Sequence, residues 1–151
     1  MPRRGPAAAA LLALAVLLPA CASGSGSSNS AEDFRGDQRA VATIVEDLED
    51  AASNGNQDEI CRDLLAPALV RRLSSAHGGC PAAVDTAIKN ADTFAIDVQS
   101  VRITGNTATA RVKLEVGDRD RTSTIGLTRP RPSAGWRIDR LEPSRRAAPA
   151  S

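Results

Sequence analysis

Tyrosine is absent from this chain of 151 residues, and Phe34, Phe94 and Trp136 are its only aromatic residues. Platforms on which nucleic-acid bases or sugar rings could stack are therefore missing. Histidine occurs once, at His77, and the cysteines Cys21, Cys61 and Cys80 form no C-x-x-C pair, so neither a dithiol redox motif nor a complete Cys/His metal set is present. Charge of one sign is lacking as well. The formal net charge is +1, without the strong positive field that nucleic-acid binding requires, so no nucleic-acid partner is expected. The longest apolar run, between Arg4 and Cys21, is too short to span a bilayer comfortably. No set of residues beyond Cys21 makes a catalytic or metal-binding motif, and no cofactor is expected.

What is present begins with that apolar run. Arg3 and Arg4 precede an apolar segment from Ala7 to Leu18, and small residues lead up to the cysteine in Leu18-Pro19-Ala20-Cys21. This is the layout of an export signal. The four residues resemble the lipobox of bacterial lipoproteins, which implies a signal peptide over residues 1–20, a diacylglycerol group on Cys21, and a cell-membrane protein facing the extracytoplasmic side. Two acyl chains hold a protein on a membrane where one does not, at roughly 0.8 kcal/mol per buried CH₂. Arg3-Arg4 is plain signal charge, because Gly5-Pro6-Ala7 lacks the Phe-Leu continuation of a twin-arginine leader.

Residues 21–36, rich in Ser and Gly at their start, read as a flexible tether reaching roughly 20 Å. One domain over residues 37–142 and a loose tail over 143–151 complete the chain. Once Cys21 carries lipid, Cys61 and Cys80 meet an oxidising compartment, and a disulfide between them is expected. Closing that loop stabilises the fold by roughly 3 kcal/mol in the chain-entropy treatment.

Val41, Ile44, Val45, Leu48, Ala51 and Ala52 fall on one helical face, which predicts a helix over residues 38–53. Glu46, Asp47, Glu49 and Asp50 interleave with it and read as its solvated face. A second helix near Asp58 buries Ile60, Cys61, Leu64 and Leu65, a further turn from Pro67 carries Leu69, Val70 and Leu73, and a third helix from Pro81 carries Val84, Ala87 and Ile88. After Asn90 the period changes to two. Phe94, Ile96 and Val98 alternate, Val101 and Ile103 continue out of phase as a β-bulge produces, and Gly105-Asn106 signals a hairpin. Ala108, Ala110, Val112, Leu114 and Val116 make the second strand, Ile125 and Leu127 the third, and Trp136, Ile138 and Leu141 the fourth. The class is α+β: N-terminal helices packed on a curved, cone-like four-stranded antiparallel sheet.

The Cys61 and Cys80 pair among helices, the bulged first strand, the Gly105-Asn106-Thr107 hairpin and the closing Gly135-Trp136-Arg137-Ile138-Asp139 together resemble the nuclear-transport-factor-2-like superfamily. They are similar in particular to small lipoproteins of high-G+C Gram-positive bacteria that carry this domain. The resemblance covers roughly residues 37–142 and implies a cone whose mouth holds a small molecule or a partner protein. Ketosteroid isomerases resemble the same fold, with an Asp base and a Tyr-bearing oxyanion hole. Here there is no Tyr, and Asp97, Asp118, Asp120 and Asp139 fall on the outward phase or in turns. An enzyme of that type is the alternative, and it needs an inward acid such as Asp97.

A non-catalytic binding domain is therefore expected, in one of two forms. Phe94, Ala108, Ala110, Val112, Trp136 and Ile138 would line a cavity for a hydrophobic small molecule. Alternatively, a protein of the cell envelope would dock on Arg129, Arg131, Arg137 and Arg140. Residues 32–63 hold ten acids against three arginines, and residues 119–146 hold eight arginines against three acids. His77, before Gly78-Gly79, reads as a loop residue.

Overall fold

The apolar face read from residues 38–53 does form a helix, the longest among the described residues. The computed structural model describes residues 31–75, 78–89, 95–116 and 119–143, so Cys21, His77 and Phe94 lie outside the described residues. A short 3₁₀ turn at Ala31–Asp33 leads to α1 (Gly36–Ser53), which buries Val41, Val45, Leu48 and Ala52. Residues 31–36, at the end of the stretch expected to be tether, thus belong to the described structure. Ala31 is buried, and its amide donates to Glu46 Oε1 at 2.5 Å.

A turn at Gly55 connects α1 to α2 (Gln57–Glu59), which widens at once into a π-helical turn, Ile60–Leu64. Pro67 opens α3 (Pro67–Ser74), where its missing amide costs nothing. The last helix, α4 (Gly79–Lys89), starts two residues before the expected Pro81. Cys80 lies buried in its first turn and is bonded to Cys61 of the π-helical turn, with Cα atoms 6.1 Å apart. The expected disulfide is therefore present.

Four strands follow in sequence order as an antiparallel meander: β1 (Ala95–Thr104), β2 (Thr107–Val116), β3 (Arg119–Thr128) and β4 (Arg137–Pro143). The class is α+β, with the helices packed against one face of the open sheet. The register of β1 shifts between Val98 and Ser100, where the phase of the apolar residues changes. Gly105, at φ 58°, makes the tight turn to β2 in a backbone region that side chains with a Cβ avoid.

The register brings Ala108, Ala110 and Val112 of β2 opposite Leu127, Ile125 and Ser123 of β3. All face the helices, and the core they form with α1 includes Val98 and Ile138. Between β3 and β4 a second shift leaves Asp139 as the extra residue, since Leu127 pairs with Ile138 and Gly126 with Arg140. Gly126 allows the close approach that results: a Cβ there would stand 2.8 Å from Asp139 Oδ1. The outer edge of β4 is partly occupied as well. Leu65 bridges Ile138, and the Ala66 amide donates to the Ile138 carbonyl at 2.7 Å.

Candidate functional site

The two ends of the sheet differ in how the helices meet it. At the end near the Gly105-Asn106 turn, the space under the sheet is filled. Trp136 is buried there beneath the Arg129 guanidinium, whose carbon lies 4.3 Å from the ring centroid. Arg129 is itself 9% exposed and makes two bonds to Asp37 at the start of α1, of 2.9 and 2.8 Å.

At the opposite end, where β2 and β4 finish, the packing is incomplete. A cavity of about 410 Å³ lies between the C-terminal half of α1, helices α3 and α4, and the end of β4. Leu48, Ile60, Leu69, Val84 and Ile88 supply much of its wall, and Arg72, Arg140 and Glu142 are its charged residues. A second apolar pocket of about 200 Å³ lies against Ile96, Leu114 and Ile125. Leu48 and Leu141 border both spaces.

Leu141, expected on the fourth strand with the core residues Trp136 and Ile138, is 57% exposed. It pairs with Ile125 and so lies on the core side of the sheet. What stands opposite it is the cavity and no side chain. The larger space by itself falls within the range of roughly 300–1,000 Å³ usual for small-molecule sites.

Of the residues expected to line a cavity, Phe94 lies outside the described residues. Ala108, Ala110, Val112, Trp136 and Ile138 are all buried in the packed core, and none of them borders either apolar pocket. The residues that do border the larger cavity have the spacing of ordinary helix-core positions, namely Leu69 and Leu73 of α3 and Val84, Ala87 and Ile88 of α4.

The four arginines of the expected docking surface do not make one free patch. Arg129 is held by Asp37 and Trp136, and Arg137 Nη1 donates to the Arg62 carbonyl at 2.7 Å, closing the π-helical turn. Arg131 is exposed. Arg140 is exposed too, with its Nε 3.7 Å from Glu142 and 3.9 Å from Asp139.

The acidic face of α1 is also more engaged than expected. Glu46 accepts from the Ala31 amide and Glu49 accepts from the Ile96 amide, each satisfying a backbone donor at an element's start. Burial, reinforced by the neighbouring charges of Asp50, Glu46 and Glu59, pushes the Asp47 carboxyl above its ordinary value. No three His, Cys, Asp or Glu side chains converge as a metal site among the described residues.

Asp97 sits between the core residues Ile96 and Val98, on the other face of β1, opposite Lys113. It accepts a 2.6 Å bond from Gln99 Nε2. The one hydroxyl on the buried face of β3 is Ser123, which donates to the Glu142 carbonyl. On the uncovered face of the sheet a polar hollow of about 380 Å³ is bordered by Gln99, Arg111, Lys113 and Asp120. Lys113 is bonded to Asp120 at 2.8 Å there, which pushes its ammonium above the ordinary lysine value. No helix among the described residues is long and apolar enough to cross a membrane.

Comparison with protein-family models and with curated proteins finds no match for this chain.

Proposed function

We propose that this is a binding protein of the cell envelope, anchored through lipid on Cys21, that holds a small apolar ligand between its helices and the end of its sheet. The observation that carries the reading is the cavity of about 410 Å³, mostly apolar in its lining and bordered, like a second apolar pocket, by the exposed Leu141. Apolar surface left in contact with water is unfavourable by about 25 cal/mol per Å², so an apolar ligand gains by covering it. The cavity replaces the set around Trp136 as the proposed ligand site.

A non-catalytic role is supported by the direction of Asp97, away from the helices and both apolar pockets. Docking of a protein on the arginines has less to support it, because Arg129 and Arg137 already serve the fold. The Ser- and Gly-rich residues after Cys21 would hold the domain close to the bilayer, where apolar ligands are concentrated.

The test is a titration of the full chain carrying Cys21→Ser, which removes the lipid acceptor, with an environment-sensitive apolar fluorophore. Saturable binding at one site, lost in Leu73→Trp, is expected. Linear, non-saturating fluorescence in both proteins would overturn the cavity reading. Metabolic labelling with palmitate tests the anchor separately, and label retained by Cys21→Ser would sink that part.

A further inference from the structure

We infer that the ligand of this cavity is a single-chain amphiphile with an anionic head, its tail inside and its head on Arg72. The inference rests on the cavity reading above and adds the chemical class of the occupant. Three observations carry it.

The first is the distribution of charge. Arg72, Arg140 and Glu142 are the charged residues of an otherwise apolar boundary, and all three are exposed. A ligand that fills the interior can therefore keep a charged end at their level without burying it. That combination of a long apolar wall and a charged rim suits an amphiphile and gives nothing to a wholly apolar molecule.

The second is the state of Arg72. Its Nη2 donates to the Asp139 main-chain carbonyl at 2.6 Å, a neutral acceptor, and among the described residues no carboxylate pairs with it. The bond orients the guanidinium across the gap between α3 and β4, so little side-chain freedom remains to be lost on binding. The remaining N–H groups of the fork are free to donate charge-assisted bonds to a carboxylate. Arg140, by contrast, lies 3.7 Å from Glu142 and is already partly compensated. Glu142 repels an anion placed beside it, which directs the head towards Arg72.

The third is the form of the space. The larger cavity and the smaller pocket are both bordered by Leu48 and Leu141. A flexible chain can fill the one and turn past those side chains towards the other, which a rigid ring system cannot do.

The experiment compares laurate, dodecanol and dodecyltrimethylammonium, each below its micellar concentration, as displacers of a fluorescent fatty acid from the full chain carrying Cys21→Ser. Laurate should displace best, on the order of tenfold better than dodecanol, and the cation worst. Added Arg72→Gln should remove the advantage of laurate and leave dodecanol unchanged. Equal displacement by all three compounds overturns the assignment of an anionic head while the cavity stands. A laurate preference that survives Arg72→Gln overturns the role of Arg72. Failure of every compound, and of the probe itself, removes the cavity and the ligand class together.

Discussion

Asp37 and Arg129, 92 residues apart in the chain, face each other as a two-bonded ion pair that ties the start of α1 to the chain just beyond β3. The pair is asymmetric, since Arg129 is buried against Trp136 while Asp37 is 48% exposed. Removing the acid leaves a buried cation without its partner, whereas removing both leaves an apolar contact. Asp37→Ala should therefore cost about 1–3 kcal/mol, and Asp37→Ala with Arg129→Met should cost less than Asp37→Ala alone. Urea unfolding of the four proteins of the cycle measures the coupling. A double variant less stable than Asp37→Ala would show that Arg129 acts chiefly by packing on Trp136.

Cys61 and Cys80 are separated by 19 residues, and their bond closes the segment that carries α3. A loop of that length constrains the unfolded chain by about 3 kcal/mol. Cys61→Ala with Cys80→Ala should lower the unfolding free energy by about that amount, read from the urea midpoint. The cavity is walled by α3 and α4 on either side of this bond, so affinity for the apolar fluorophore should fall in the same variant at temperatures where it is still folded. An unchanged midpoint would show that the helices hold their places without the staple.

Much of the sheet could be read from local pattern, and the site could not. Alternation in β2 and the change of phase after Val98 are properties of neighbouring residues, and both appear in the structure where the pattern put them. Leu141 stands three residues after Ile138, out of the period of two, and reaches the core side of the sheet only through the extra residue Asp139; it is exposed there because burial at that position depends on how closely α4 approaches β4. The same limit applies to Arg129. As a residue it reads as surface charge, and only the fold brings Asp37 and Trp136 to it. The low aromatic content offered the one hint of a gap, since the interior has few large rings to fill space where helices diverge. It did not say where that gap would be.

Asp47 gives a pH dependence whose sign follows from its direction of shift. Burial first, then the charges of Asp50, Glu46 and Glu59, raise its carboxyl above 3.8. The native state then holds this proton to higher pH than the unfolded chain does, so this carboxylate lowers stability as pH rises through the interval above 3.8. Asp47→Asn should raise the melting temperature at pH 7 and have no such effect at pH 3. Solvent around Asp47 keeps the gain to a few tenths of a kcal/mol, the usual size for like charges one turn apart. A gain that is equal at both pH values would point to helix propensity as its source.

Enlarging two alanines distinguishes filled core from open cavity. Ala110 is fully buried between Val101 of β1 and Ile125 of β3 and borders neither apolar pocket. Extra methyl groups there must displace neighbours, and Ala110→Leu should cost about 1–3 kcal/mol. Ala83 is half-buried and borders the 410 Å³ cavity, so Ala83→Leu adds apolar volume into empty space. It should leave the unfolding free energy unchanged or raise it slightly, while weakening the apolar fluorophore by occupying its place. The two measurements make opposite demands on one substitution, since a stable protein must lose affinity. A strong loss of stability in Ala83→Leu would mean that α4 closes on β4 in solution, and retained affinity would place the bound fluorophore elsewhere.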